Sequence, residues 1–213
     1  MIVILTEIED SVPYIKDKLK ESSWATKRTL IQYRLDKDVL IHQIGDIVVQ
    51  FGLQEFFNIN PDDWYYSVSD YGKPTLIHER TLNFNISYAY PYVVCVFDNR
   101  PVGIDIEQMN QVEYDDIITC LHCEEQTFIR QSEEKERAFL EIWTRKESYV
   151  KLLGIGLNKD IATYNVLSPK TFEQKQCYFH KYEADNYIIN VCSQKIIKPR
   201  IITLNLKTDI LKL

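Results

Sequence analysis

Several things are missing from this 213-residue chain, and each absence excludes a class of function. There is no excess of basic charge: 25 lysines and arginines stand against 31 aspartates and glutamates. Neither end compensates, with 9 basic and 14 acidic residues up to Asp98 against 16 and 17 after it. The chain is therefore not a basic nucleic-acid module, and any polyanion must be held by a local cluster. There is no apolar run approaching the roughly 20 residues that cross a bilayer. The apolar start Met1–Leu5 is followed at once by Glu7, Glu9 and Asp10, so it does not read as a leader. There is no even set of cysteines. The five (Cys95, Cys120, Cys123, Cys177, Cys192) include two inside apolar strand-like runs, which suits reduced thiols in a cytoplasm better than a disulfide framework. Low-complexity stretches, linkers and literal repeats are absent too. What is present is globular: 45% hydrophobic and 26% charged residues, in a chain long enough to bury roughly 70% of its unfolded surface.

Patterning divides this material into helices and strands. Ile2–Ile8 reads as a strand, and a helix capped by Asp10 or Ser11 is expected to run to about Glu21. Asp36–Phe57 reads as a longer helix, since Leu40, Ile44, Ile47, Val48 and Phe51 keep the 3.6-residue spacing. Strands are expected at Trp64–Ser69, Leu82–Ile86, Tyr92–Phe97 and Val102–Glu107, with a turn at Tyr71-Gly72-Lys73-Pro74. A helical region follows over Asp115–Gln131. The strongest helix spans Ser132–Leu153 and ends at Gly154 and Gly156. The tail offers strands at Ile161–Val166, Cys177–Tyr182, Tyr187–Cys192 and Ile201–Leu206, with Ala184-Asp185-Asn186 as a hairpin turn. The fold expected is α+β, built from two similar halves, residues 1–100 and 101–213, each a mostly antiparallel sheet with one long packed helix.

Asp105 and Glu107 carry the first chemical signal. Two apart on a strand, their carboxylates leave one face about 7 Å apart, while Ile104 and Ile106 face the core. A solvent-facing strand is the plain reading. The helix around Trp143–Lys151 shifts it, because Glu147 and Lys151 are four apart on one face that also carries Trp143. A third carboxylate brought to Asp105 and Glu107 makes a hard oxygen site of the Mg²⁺ type, with Lys151 facing the same phosphates.

Val102-Gly103-Ile104-Asp105-Ile106-Glu107 followed about forty residues later by Trp143-Thr-x-Lys146-Glu147-Ser148-x-x-Lys151 resembles the signature of the 4′-phosphopantetheinyl transferases. Tyr71-Gly72-Lys73-Pro74, Phe84-Asn85-Ile86-Ser87, Val93–Asp98 and Gly154-x-Gly156-Leu157 match the larger, surfactin-synthetase-activating (Sfp-type) class. The resemblance implies a Mg²⁺-dependent transfer of phosphopantetheine from coenzyme A to a serine of an apo acyl- or peptidyl-carrier protein, with release of adenosine 3′,5′-bisphosphate. It implies a metal held by Asp105, Glu107 and Glu147, and Lys151 and Lys146 as signature lysines at the phosphates. Gly72, Lys73 and Pro74 would form a loop at the nucleotide, with Ser87 as a coenzyme A contact. Glu125, in Leu121-His122-Cys123-Glu124-Glu125, matches a Phe-His-x-x-Glu element whose Glu is a candidate general base. A monomer is expected, because two joined halves already cover the interface that half-length relatives form between chains.

The match departs from the family at the nucleotide side. Tyr88 stands where the family has a His that contacts a coenzyme A phosphate; it is expected at the same phosphate, where a phenol can donate one hydrogen bond but brings no positive charge. Ile41 and His42 stand where the family offers an Arg-Thr pair, with Lys27 and Arg28 as candidate substitutes. A divergent coenzyme-A-binding member without transfer activity is the alternative these departures leave. Cys120-Leu-His122-Cys123 lacks the second half of a four-ligand zinc site and follows no thioredoxin-like strand.

Overall fold

A computed structural model of the chain describes residues 1–8, 36–78, 81–109, 114–156, 161–172 and 174–209. The helix expected before Glu21, the basic pair Lys27–Arg28 and Leu157 lie outside these. Among the described residues, ten strands and four α-helices follow one another as β1 (Ile2–Glu7), α1 (Asp36–Phe57), β2 (Tyr65–Val68), β3 (Pro74–Ile77), β4 (Asn83–Ala89), β5 (Tyr92–Asp98), β6 (Val102–Gln108), α2 (Asp115–Ile118), α3 (Cys123–Gln131), α4 (Lys135–Leu153), β7 (Lys170–Phe172), β8 (Lys175–Ala184), β9 (Tyr187–Ser193) and β10 (Arg200–Leu204).

Two four-stranded sheets carry the molecule, ordered β10-β1-β5-β4 and β6-β9-β8-β7, with β2-β3 as a separate hairpin. The chain follows the same path twice. In each half a first strand (β1, then β6) leads to a long helix and then to an antiparallel hairpin (β4-β5, then β8-β9). The hairpin's second strand pairs antiparallel with the first strand. The α+β fold with two alike halves is what the patterning predicts. The tail then crosses back, and β10 adds to the N-terminal sheet parallel to β1.

Strand alternation builds the layers. On β5, Val93, Cys95 and Phe97 face α1, packing with Leu40, Ile44, Ile47, Val48 and Phe51. The intervening Tyr92, Val94 and Val96 turn the other way, onto Val102, Ile104 and Ile106 of β6 and Ile189 and Val191 of β9. Both helices are thus outermost and the two sheets meet between them. Each of these aliphatic side chains is buried, contributing roughly 1.5–3 kcal/mol on removal from water. At the end of α1, Asn58 takes a left-handed φ of 53° while the Ile59 N–H bonds the Leu53 carbonyl, closing the helix.

Two local expectations are corrected. Asp115–Gln131 is two helices, broken at residues 119–122, where His122 caps α3 by accepting the Glu124 N–H at 3.2 Å. Ile161–Val166 is not a strand but begins as a 3-10 turn over Ile161–Thr163. Its Ile161 and Tyr164 carbonyls turn inward to the Lys146 ammonium, so no ladder can form there. The short strands β3 and β7 carry no alternation long enough to be read from sequence.

Candidate active site

Gly103 sets the geometry of the site. A Cβ there would lie 1.9 Å from the Ser148 carbonyl oxygen and 2.5 Å from the Leu152 nitrogen. Only a glycine lets α4 lie this close on β6. The strand and helix then run past each other in step. Gly103 to Glu107 advances about 13 Å along a strand, and Leu152 back to Trp143 about 13.5 Å along a helix. Glu107 therefore arrives under Trp143, whose indole Nε1–H donates to Glu107 Oε1 at 3.2 Å. Asp105 lies between them and is reached by the Lys151 side chain, whose Nζ donates to Asp105 Oδ1 at 2.6 Å.

The edge of the N-terminal sheet closes the site from the other side. Ser87 on β4 donates its hydroxyl to Asp105 Oδ1 at 2.9 Å and accepts from Lys151 Nζ at 2.8 Å. Two residues earlier, Asn85 Oδ1 accepts the Ile104 N–H at 2.8 Å, a side chain standing in for a ladder partner between two sheet edges. A cleft of about 570 Å³ opens here, lined by Ser87, Asp105, Glu107, Glu147 and Lys151 with His42 and Tyr88 at one wall.

The carboxylates crowd one another. Burial pushes Glu147 up to about 7, with Asp105 and then Glu107 adding repulsion against the pull of Lys151. Glu107 is also pushed up to about 7, by burial and then by Asp105. Asp105 is raised by its own burial, against the lowering influence of Lys151 and Ser87. Its Oδ2 is buried without a hydrogen-bond partner. Among the described residues no three carboxylate, imidazole or thiol side chains already stand as a ready ligand group. The donor set nonetheless suits a hard divalent cation: three carboxylates, one with an orphaned buried oxygen, neutralised for now by one lysine.

The Gly72-Lys73-Pro74 loop reaches the same cleft and straps it. Gly72 turns the chain at φ 80°, and Lys73 Nζ donates to the Lys151 carbonyl at 2.5 Å and the Leu152 carbonyl at 3.3 Å. A cation on the last carbonyls of a helix suits the helix dipole, and burial there lowers Lys73 to about 8. Its anchoring role on α4 is not visible in the sequence, because Lys151 lies 78 residues away. Tyr88 lies flat against α1: a Cβ on Gly45 would sit 2.5 Å from its hydroxyl oxygen, and its ring meets His42 edge-on at 4.5 Å. Ile41 is buried in the core on the sheet side of α1.

Two expected site residues are not brought to the cleft. Lys146 and Glu125 point away from it and pair with each other at 2.9 Å, both side chains at 0% exposure. Lys146 also donates to the carbonyls of Ile161 and Tyr164. Glu125 Oε1 accepts the Val166 N–H at 2.7 Å and Oε2 accepts the His122 N–H at 3.0 Å, the latter closing the cap of α3. In this placement Lys146 and Glu125 are held by each other and by backbone groups rather than lining the cleft. Lys146 and Glu147 are consecutive, and a helix turns about 100° per residue, so they face different sides. Cys120 and Cys123 are exposed thiols.

Comparison with known proteins points to one family. Residues 101–198 match the sequence profile of the 4′-phosphopantetheinyl transferase superfamily. The 4′-phosphopantetheinyl transferase Sfp of Bacillus subtilis (strain 168) is 26% identical over 182 residues, covering 76% of this chain and 77% of its own. The Bacillus subtilis 4′-phosphopantetheinyl transferase ffp is 28% identical over the same coverage. The gsp enzyme of Aneurinibacillus migulanus is 29% identical over 62% of this chain and 55% of its own. With its signature strand and helix assembled on one cleft, the chain is similar to the 4′-phosphopantetheinyl transferases, the larger Sfp-type enzymes among them.

Proposed function

We propose that this enzyme transfers 4′-phosphopantetheine from coenzyme A to a serine hydroxyl of an apo acyl- or peptidyl-carrier protein and releases adenosine 3′,5′-bisphosphate. The observation that supports this best is the convergence of Asp105, Glu107, Glu147, Lys151 and Ser87 on one cleft where the two halves meet. In the same reading, residues 1–100 form the nucleotide side, residues 101–213 carry the signature, and the protein acts as a cytoplasmic monomer. Among the described residues no helix is long and apolar enough to cross a membrane.

The reaction breaks a pyrophosphate at the phosphorus bearing pantetheine, so negative charge gathers on the transferred phosphoryl group and on the departing phosphate. Asp105, Glu107 and Glu147 would hold Mg²⁺, which supplies charge neutralisation at those oxygens. Lys151 adds a fixed cation: its ammonium already bridges Asp105 and Ser87, so it is oriented before substrate arrives. Ser87 and the Gly72-Lys73-Pro74 loop would border the donor. The Lys73 ammonium is committed to α4, so the loop's contribution there is shape rather than charge. A serine hydroxyl is a weak nucleophile at neutral pH and must lose its proton.

Incubating the protein with coenzyme A, Mg²⁺ and an apo carrier, then weighing the carrier, tests the reading. It predicts one added phosphopantetheine, and none when the divalent ion is chelated. A protein that binds coenzyme A yet leaves every carrier unmodified is instead a binding member of the family, the second reading that Tyr88 and His42 leave open.

A further inference from the structure

Glu107 is the one carboxylate of the cleft held by an aromatic ring. The indole of Trp143 donates to Glu107 Oε1 at 3.2 Å. The ring is itself fixed by a ladder of aromatics along α4 and α2's approach: it stacks on Phe139 at 6.0 Å and 22°, and Phe139 stacks on Tyr114 at 5.0 Å and 16°. An indole N–H can only donate, so it holds Glu107 as an acceptor and fixes one of its two oxygens. Asp105 is fixed differently, with Oδ1 taken by Ser87 and Lys151 while Oδ2 stays buried and unpartnered. Asp105 and Glu107 thus each have one oxygen pinned by the protein, and the second Asp105 oxygen has no partner.

We propose that Trp143 is a positioning residue for divalent-cation binding, its indole N–H setting the orientation in which Glu107 presents its second oxygen beside Asp105 and Glu147. This rests on the cleft being the Mg²⁺ site. Groups that hydrogen-bond a metal-binding side chain orient it before the ion arrives, and losing such a partner typically weakens metal affinity about 10–100-fold. Packing alone does not require this: a phenylalanine fills the stack on Phe139 and lacks only the N–H.

The test is calorimetric titration of Mg²⁺ into wild-type protein and Trp143→Phe, both folded and free of coenzyme A, with tryptophan emission followed in parallel. The expected result is a dissociation constant 10–100-fold weaker in Trp143→Phe. A Mg²⁺-dependent change in emission is expected in the wild type and should be lost in the variant. Equal affinities would overturn the inference and leave Trp143 a packing residue, even if the variant melts lower. A wild type that binds no Mg²⁺ would overturn the metal reading itself, and the inference with it.

Discussion

The buried pair Lys146–Glu125 allows a sharp separation of structural from catalytic roles. All three ammonium protons of Lys146 are used, by Glu125 and by the carbonyls of Ile161 and Tyr164, and both Glu125 oxygens accept backbone N–H groups. Burial lowers the Lys146 pKa, against the raising influence of Glu125, so the charge is tolerated there mainly because its partner is present. Lys146→Met leaves a carboxylate uncompensated at 0% exposure and orphans two carbonyls; Glu125→Gln leaves an uncompensated ammonium. Breaking a buried pair from one side costs about 3–5 kcal/mol. The double variant removes both charges, and its amide oxygen can still accept a backbone N–H. Its loss is expected to fall short of the sum of the singles by about 2 kcal/mol, within the range for residues in contact. Urea unfolding of the four proteins measures this, provided the m-values agree. Transfer kinetics on the folded double variant then decide the chemistry. A general base contributes about 10²–10⁴-fold, so kcat within tenfold of wild type supports a structural pair. Single variants that each cost under about 1 kcal/mol, or a stable double variant with kcat down a hundredfold or more, would refute the reasoning.

Other perturbations reach the remaining parts of the account. Glu147 keeps its proton to about pH 7 when folded and to 4.5 when unfolded, so its ionisation removes stability as pH rises through 7. In chelator, Glu147→Gln should therefore be more stable than wild type at pH 8, by up to about 3 kcal/mol. The gain should vanish near pH 4.5, and a variant less stable at pH 8 contradicts the charge crowding. Gly103→Ala forces a methyl into backbone 1.9 Å away and should cost more than about 3 kcal/mol, or fail to fold. A mild effect on the melting temperature would mean that α4 does not lie on β6 as described. Tyr88→Phe should leave the Michaelis constant for coenzyme A within twofold, because the hydroxyl lies against Gly45 of α1. A tenfold rise would show that the phenol meets the donor.

Much of the fold was legible because its signals are local. The stripe from Leu40 to Phe51 defines α1, and the alternation of Val102–Glu107 already places Asp105 and Glu107 opposite the core. Glu147 and Lys151 could be put on one helical face by counting. What the sequence hides is long-range. The turn of Lys146 toward residues 161–166 depends on carbonyls 15 and 18 residues on. The use of Lys73 on the end of α4 depends on a loop 78 residues upstream. Sequence spacing alone does not tell which way Lys146 or Glu125 faces; the packing does. The crossing of β10 back to β1 is equally invisible, since Arg200–Leu204 alternates no differently from a strand of its own half.

The central claim is that the cleft around Asp105 is where the carrier serine is modified, and Asp105→Ala tests it most directly. With the variant shown folded by circular dichroism, apo carrier is incubated with coenzyme A and Mg²⁺ and its mass is followed over time beside wild type. The account predicts that the wild type adds one phosphopantetheine to the carrier serine and the variant adds none. Transfer by Asp105→Ala at a rate near that of the wild type would contradict it.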